Sequence, residues 1–185
     1  MDIQKTMTII EQPFPGTFLI KPKVVADIRG DFVKTFHEPL FAELGIQFKP
    51  VEEFFSTSHK DVLRGMHFQL PPHDYDKLVY CIRGRVLDVL LDLRKSSPFF
   101  RRCASAELSG ASHHQFFIPK GVAHGFLSLD DDSVMVYKTS AVHAPEHDAG
   151  IRWDSLEFQW PLANPVLSAR DQNSQVLKQF NSPFP

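Results

Sequence analysis

The chain has 185 residues, a length that predicts a single domain. Its 20 basic and 22 acidic residues leave a formal net charge of −2, which argues against binding nucleic acid through bulk charge. Hydrophobic residues make up 43% and charged residues 23%, which excludes wholesale disorder. The 17 phenylalanines and 14 prolines favour a β-rich protein with rigid corners over a helical bundle.

Short runs typical of strands recur along the chain, with turn residues between them. They cover residues 17–25, interrupted by Pro22, and then 30–36, 51–57, 78–82, 85–93, 104–108, 115–118, 125–129 and 133–140. The runs 78–82 and 85–93 are separated only by Arg83 and Gly84, which predicts a hairpin.

Only two short helices are predicted. One covers 39–44, with Pro39 at its start and Gly45 after its end, and the other covers 174–180. Many short strands with few helices favour a single β-sandwich or barrel, closed or nearly closed. No strand–glycine–helix unit is present in the sequence, so a dinucleotide-binding fold is not expected.

Neither cysteine usage nor hydropathy points to export or to a membrane. Cys81 and Cys103 have no spacing typical of a metal site or a redox pair. Residues 1–10 lack the apolar stretch of a secretory signal, and every apolar run is too short for a membrane helix. The sequence therefore predicts a cytoplasmic protein that does not associate with membranes.

The segment VLRGMHFQ, residues 62–69, is the first candidate for chemistry. If it is a regular strand, Leu63, Gly65, His67 and Gln69 share one face. Two polar residues on the face of a barrel strand indicate a face that lines a wet cavity, or else a surface face with a structural histidine. The residues of this segment leave both interpretations open.

Three further segments carry polar or ionisable side chains. Taken alone, IPKGVAHGF (118–126) is typical of a tight turn with a capping histidine, His124. In VMVYK (134–138), Tyr137 is typical of a core or interface tyrosine whose hydroxyl is satisfied. LSARD (167–171) by itself is typical of a solvated turn.

A metal site is not expected. A metal-binding cupin barrel needs two histidines one residue apart, then an acidic ligand and a histidine on a later strand. Here Gln69 stands at the second of the paired positions, and no glutamate follows in 70–76. His67 and His124 alone are too few ligands for a stable first-row metal site.

Seven segments occur together in the order found in one family. They are 62–69, 77–79, 84–98, 118–126, 136–138, 150–153 and 167–171. On these segments the chain resembles the dTDP-4-dehydrorhamnose 3,5-epimerases, which are metal-free cupins, from about residue 20 to residue 171. The resemblance implies a single cupin domain over 1–185, mainly β, with one jelly-roll barrel and a few short helices.

The same resemblance implies the assembly and the reaction. The protein would be a homodimer in which the N-terminal strand region, about 17–36, is exchanged with the partner. The reaction would invert C3 and/or C5 of a nucleoside-diphosphate 4-keto-6-deoxyhexose without a cofactor, in dTDP-rhamnose, deoxysugar and polysaccharide biosynthesis. A nucleotide sugar is the expected partner, with no nucleic acid and no membrane.

Four positions match the catalytic residues of the family. His67 matches the general base that removes the proton next to the C4 ketone, and Asp171 matches the carboxylate that orients this histidine. Tyr137 matches the acid that returns a proton at C5. Lys77 matches the cation near the ketone oxygen, where enolate charge develops.

Eleven positions correspond to substrate contacts in the family. They are Arg29, Phe32, Lys34, Glu52, Phe54, Arg64, Gln69, His124, His143, Asp148 and Arg170. The resemblance assigns Arg64 to the pyrophosphate and places Arg29 in the partner's site. On a regular strand Arg64 would point away from His67, so either this strand bulges or the pyrophosphate lies off the sugar pocket.

The chain departs from the family pattern around the nucleotide and sugar. Lys34 replaces a glutamate that accepts a proton from thymine, Glu52 and Phe54 replace a glutamine and an asparagine, and His143 replaces a tyrosine. A lysine only donates, which hints at a cytidine nucleotide. The alternatives are a C5-epimerase of a CDP-4-keto-3,6-dideoxyhexose, a 3-epimerase or ketoisomerase relative, or a non-catalytic sugar-nucleotide-binding cupin.

Overall fold

The computed structural model describes residues 7–185. The expectation of no secretory signal concerns residues 1–10, most of which lie outside the described residues. In chain order the strands are β1 (Thr8–Glu11), β2 (Phe18–Lys21), β3 (Lys23–Asp27), β4 (Gly30–Lys34), β5 (Glu52–Ser58), β6 (Leu63–Gln69), β7 (Lys77–Arg83), β8 (Arg85–Asp92), β9 (Cys103–Ser109), β10 (Gln115–Ile118), β11 (Val122–Ser128), β12 (Ser133–Thr139) and β13 (Asp148–Gly150). The helices are α1 (Glu38–Glu43), α2 (Ala169–Gln172) and three 3₁₀ turns, Pro145–His147, Trp153–Ser155 and Leu177–Gln179. No helix within 7–185 is long and apolar enough to cross a bilayer.

Two antiparallel sheets face each other. One has six strands in the order β1-β2-β10-β7-β12-β5, and the other has five in the order β13-β6-β11-β8-β9. Strands that are distant in sequence are neighbours in both sheets, as in a jelly roll. The expectation of a mainly β jelly-roll barrel with few helices is confirmed. Strands β3 and β4 form a separate two-stranded sheet.

The hairpin expected around Gly84 does not form. Both strands exist, but β7 lies in the first sheet and β8 in the second, so the turn between them is a corner between sheets. Gly84 has a positive φ of 74°, and a Cβ there would lie 2.5 Å from Ser133 Oγ. Only glycine suits this conformation and this close approach.

The predicted helices are displaced to different degrees. Helix α1 forms close to the predicted 39–44 and has a proline in its first turn. Its own residue Phe41 is buried. In the predicted segment 174–180 only a 3₁₀ turn forms. An α-helix forms instead at α2, in the segment expected to be a solvated turn. The Ser168 side chain caps it by accepting a hydrogen bond from the backbone N–H of Asp171.

Apolar side chains fill three layers rather than one. The space between the sheets holds residues such as Phe116, Phe126 and Leu90. Outside the first sheet, α1 and the chain around it contribute an aromatic cluster. Outside the second sheet, the C-terminal segment packs on Phe68, with the ring of Phe180 at 5.3 Å. The numerous phenylalanines therefore stabilise both outer faces as well as the interior.

Candidate active site

A bulge in β6 turns the side chains of Arg64 and His67 into the same cavity. His67 pairs with His124 of β11, but Arg64 pairs with Phe126, so three steps on β6 oppose two on β11. At the bulge Gly65 has a φ of 140°, and a Cβ there would lie 2.5 Å from the Cα of Gly125. Of the two alternatives left open by the sequence, the bulging strand is the one observed.

His67 forms a close pair with a buried carboxylate. Its Nε2 lies 2.6 Å from Oδ1 of Asp171, whose side chain is almost fully buried at the start of α2. The Ser168 hydroxyl accepts the backbone N–H of Asp171 at 3.1 Å and so fixes this turn. A carboxylate in this position orients the ring and stabilises its charged form.

Burial and hydrogen bonding together set the protonation of this pair. Burial lowers the pKa of His67, although the hydrogen bond to Asp171 and its charge act in the opposite direction. For Asp171 burial acts to raise the pKa, but the bonds to His67 and Ser168 outweigh it, so the pKa is lowered. At neutral pH the arrangement is therefore a neutral imidazole beside a carboxylate, which is suited to accept a proton.

Lys77 is a buried cation at the start of β7. Its Nζ donates a hydrogen bond of 2.9 Å to the backbone oxygen of His67, and only 5% of the residue is exposed. Burial lowers the pKa of Lys77 to about 8, although the charges of Asp148 and Asp88 act in the opposite direction. A cation held in this way stabilises negative charge that develops next to it.

Tyr137 lies on β12 with its ring inside the barrel and 7% of the residue exposed. The ring of Phe54, from the neighbouring β5, stacks on it at 4.8 Å, and Ser56 Oγ lies 3.3 Å from its hydroxyl. Burial raises the pKa of the Tyr137 phenol, although the hydrogen bond with Ser56 acts in the opposite direction. The phenol keeps its proton across the neutral range.

A second histidine–carboxylate pair lies deeper in the barrel. His124 Nε2 is 2.8 Å from Oδ2 of Asp88, and both side chains are buried. Burial raises the pKa of Asp88, although the nearby His124 and Lys77 act in the opposite direction. The ring of His124 meets that of Tyr137 edge-on at 6.0 Å. His124 is therefore an interior residue of the barrel and not a turn cap.

These side chains line one cavity of about 410 Å³. It gathers ten of the fifteen residues singled out from the sequence, namely His67, Lys77, Tyr137, Glu52, Phe54, Arg64, His124, His143, Asp148 and Arg170. Asp171 stands behind His67. Three lining residues were not anticipated: Ser56, Tyr75 and Phe126. Strand parity with Phe54 would have pointed to Ser56. No local signal marks Tyr75, which lies in the loop before β7.

Polar groups at the mouth of the cavity form defined contacts. Arg64 donates from Nε to Ser58 Oγ at 3.0 Å and from Nη2 to the backbone oxygen of Thr57 at 3.1 Å. Arg170 donates to Asp148 at 2.7 Å. Glu52 accepts the backbone N–H of His143 at 2.9 Å.

Gln69, expected to contact substrate, does not line the cavity. Its side chain is buried and bonded to backbone: Nε2 donates to His73 O at 2.6 Å, and Oε1 accepts from Ala144 N at 2.6 Å. The two loops joined in this way carry Tyr75 and His143. Gln69 therefore holds the rim together.

Three other predicted contacts lie on the β3–β4 hairpin and outside this cavity. Arg29 at its turn pairs with Asp27, and Phe32 is 65% exposed. Lys34 ends the hairpin. Arg29 and Phe32 border a separate surface hollow of about 370 Å³. One chain by itself therefore does not bring these three residues to His67.

The fold and the cavity define a jelly-roll enzyme whose cavity presents groups suited to proton transfer. A neutral imidazole with its carboxylate, a buried ammonium group and a protonated phenol face one space. Within residues 7–185 no three His, Cys, Asp or Glu side chains are grouped as metal ligands.

The comparisons agree with this geometry. The family model described as dTDP-4-dehydrorhamnose 3,5-epimerase matches residues 11–179, and the chain belongs to this family. The enzyme of that name from Shigella flexneri is 41% identical over 172 residues, which are 91% of this chain and 95% of the relative. The chain is an epimerase of the isomerase class.

Solved structures give the same result. The Bacillus anthracis dTDP-4-dehydrorhamnose 3,5-epimerase with TDP and PPi bound has a TM-score of 0.91 and 34% identity, covering 93% of this chain and 100% of that one. The Legionella pneumophila enzyme in complex with dTDP-4-keto-L-rhamnose has a TM-score of 0.89 and 37% identity, covering 95% of both chains. A 3'-monoepimerase from Streptomyces bikiniensis has a TM-score of 0.84 and 30% identity, covering 90% of this chain and 86% of that one.

Proposed function

We propose that this epimerase acts on a nucleoside-diphosphate 4-keto-6-deoxyhexose and inverts both C3 and C5, as in the conversion of dTDP-4-dehydro-6-deoxyglucose to dTDP-4-dehydrorhamnose. The observation that carries the proposal is the convergence of His67, Lys77 and Tyr137 on one cavity. A ketone acidifies the hydrogens on both neighbouring carbons. A base on one side of the ring and an acid on the other can therefore invert these carbons.

His67 removes the proton. Its Nε2–H is held by Asp171 at 2.6 Å, which leaves Nδ1 with a lone pair as the basic atom. As the proton is taken up, the buried carboxylate stabilises the imidazolium that forms. The electron pair of the broken C–H bond moves into the enolate.

Lys77 stabilises that enolate. Its buried ammonium group is held by the backbone of β6 at 2.9 Å, so it needs little rearrangement when charge develops on the ketone oxygen. Tyr137 then donates its proton to C5 from the opposite face. The raised pKa of the phenol means that the proton is present at neutral pH.

Arg64 binds the diphosphate. The bulge of β6 directs it into the cavity that holds His67, and bonds to Ser58 and Thr57 fix its guanidinium group. A guanidinium fork matches the geometry of phosphate oxygens. Arg170, paired with Asp148 at the rim, is a second cation near this end.

The test follows deuterium incorporation at C3 and C5 of dTDP-4-keto-6-deoxyglucose in heavy water. We expect both positions to exchange, and we expect His67→Asn to bind the substrate without turnover. Tyr137→Phe should block inversion at C5 and spare exchange at C3. Unchanged turnover in the His67 variant would remove the assigned base, and equal loss at both carbons in the Tyr137 variant would give Tyr137 another role.

The cavity is completed in a homodimer by exchange of the N-terminal strands, about residues 17–36. Within residues 7–185, strands β3 and β4 pair only with each other; the hairpin exposes Phe32, and Ile28 at its turn is fully exposed. An exposed two-stranded sheet of this kind is marginal unless another surface covers it. Arg29 would then reach the partner's nucleotide. Light scattering and substrate binding by Arg29→Ala test this: a monomeric wild-type protein with full activity would contradict it.

A cytidine-diphosphate 4-keto-3,6-dideoxyhexose is the second candidate substrate, with inversion at C5 only. Phe54 supports it, because this position presents an aromatic ring stacked on Tyr137 and no amide. Lys34 supports it because a lysine can donate to N3 of cytosine and cannot accept from thymine. Equal or faster exchange with the thymidine substrate would reject this candidate.

A cytoplasmic location completes the proposal. Cys81 and Cys103 are both free thiols, as is usual in reducing compartments. Fractionation of the source cells tests the location, and recovery of the protein outside the cytoplasm would contradict it.

A further inference from the structure

Strand β5 is the edge strand of the six-stranded sheet and runs beside Tyr137. Phe54 is the direct partner of Tyr137 in the register, and their rings stack at 4.8 Å with an interplanar angle of 13°. Two residues further along β5, Ser56 Oγ lies 3.3 Å from the Tyr137 hydroxyl. Phe54 therefore packs on the ring face of Tyr137, and Ser56 lies within hydrogen-bond distance of its hydroxyl.

Ser56 is the only hydrogen-bond partner that the described part of the chain offers to the Tyr137 hydroxyl. A phenol has one hydrogen to donate and can also accept. If Ser56 donates to the phenol oxygen, the phenol hydrogen is free to point at a substrate atom in the cavity. Ser56 is itself half-buried and lines that cavity.

We propose that Ser56 is a positioning residue that aims the proton of Tyr137 at C5 and stabilises the phenolate left behind. This deepens the proposed function and rests on it, since Tyr137 must be the acid. The proton passes from the phenol oxygen to the C5 carbanion, and the serine hydroxyl keeps its own proton and donates a hydrogen bond to the new phenolate.

The size of the effect follows from the environment of the phenol. Tyr137 is buried, so a phenolate formed there has little water to solvate it. A hydrogen bond to a charged group in such a place corresponds to about a 10- to 100-fold effect on an equilibrium. We expect Ser56→Ala to reduce the rate of C5 inversion by about this factor.

Selectivity separates this role from a purely structural one. Removal of the Ser56 hydroxyl should leave KM and the exchange at C3 within about 3-fold of wild type, because neither His67 nor Lys77 forms a hydrogen bond with Ser56 in the described part of the chain. The product should therefore shift toward the C3 monoepimer. Ser56→Thr, which keeps the hydroxyl, should restore C5 inversion.

Two serine-to-alanine substitutions serve as matched controls. Ser58→Ala, on the same face of β5, removes a bond of Arg64 and should raise KM without changing the ratio of C5 to C3 exchange. Ser105→Ala, exposed on β9 in the other sheet, should leave both exchange rates unchanged.

The experiment measures deuterium at C3 and C5 for all variants with dTDP-4-keto-6-deoxyglucose, alongside Tyr137→Phe. A selective loss at C5 in Ser56→Ala with rescue by threonine supports the proposal. An equal loss at both carbons, or no loss, overturns it while leaving the proposed function intact. If Ser56→Ala does not fold, failure of Ser56→Thr to sustain C5 inversion in a folded protein overturns it. C5 inversion that survives in Tyr137→Phe contradicts the proposed function itself.

Discussion

Replacement of Lys77 by methionine separates stability from activity. Methionine has a similar length and no charge, so the variant no longer buries an ammonium group. We expect Lys77→Met to be more stable than wild type at neutral pH and to lose about 10²- to 10³-fold in kcat, because the enolate is no longer stabilised. The stability gain should vanish as the pH rises.

The magnitude follows from the pKa of Lys77, which burial lowers from 10.5 to about 8. At about 1.4 kcal/mol per pH unit, this difference costs the folded protein about 3 kcal/mol wherever the lysine is charged in both states. The cost is complete below about pH 8 and disappears as the pH rises toward 10.5, because the folded protein then releases its proton while the unfolded chain keeps it. At about pH 10 it has fallen to about 1 kcal/mol.

Loss of the hydrogen bond from Lys77 to His67 opposes the gain by about 1 kcal/mol, but it does so equally at every pH. The net stabilisation expected at about pH 7 is therefore about 2 kcal/mol. The difference between the two pH values, about 2 kcal/mol, depends only on the titration of Lys77.

The assay is urea unfolding of wild type and variant at about pH 7 and about pH 10, at one protein concentration. Lys60→Met, which replaces an exposed lysine, is the control and should change stability little and equally at both pH values. If the difference between Lys77→Met and wild type is the same at both pH values, the reasoning about the buried charge is refuted.

Three further perturbations test other parts of the structure. Asp171→Asn should lower kcat at least about 10-fold and move the acid limb of the pH profile of kcat/KM to lower pH. Burial already lowers the pKa of His67, and the variant lacks the carboxylate that raises it. An acid limb that moves to higher pH would contradict this. Gly65→Ala should destabilise the protein by about 2–4 kcal/mol in thermal unfolding, since its Cβ would lie 2.5 Å from the backbone of Gly125, and an unchanged melting temperature would exclude this close approach. Phe41→Ala should cost about 3–5 kcal/mol in urea unfolding and leave kcat of the folded protein unchanged; a reduced kcat would link α1 to the site.

Local pattern alone was sufficient for most of the strands. Pro22 separates β2 from β3 as expected, because proline cannot donate to a ladder, and the run 115–118 is a strand with the predicted bounds. The turn at Gly84 was misassigned because a hairpin and a corner between sheets share the same glycine signal. Which sheet each strand joins depends on partners distant in the sequence.

The site was identified mainly through its resemblance to a family. In its local sequence, His124 is typical of a capping histidine and Tyr137 of a core tyrosine. The segment that contains Asp171 is typical of a solvated turn. Their role as one set depends on β6, β11 and β12 directing side chains into one space and on the short helix α2 reaching the back of His67. Ser56 was missed because its parity with Phe54 is informative only once Phe54 is known to face the cavity, and Tyr75 was missed because nothing local distinguishes it from an ordinary loop residue.

The sequence by itself determined the β-rich class, the positions of most of the strands and, through its ordered motifs, the family. These depend on local conformational preferences and on residue identity. Only the tertiary structure decided that Arg64 shares a cavity with His67. The period-two rule places them on opposite faces, and it fails because the backbones of Gly65 and Gly125 pack together and bulge the strand, a contact between residues sixty positions apart.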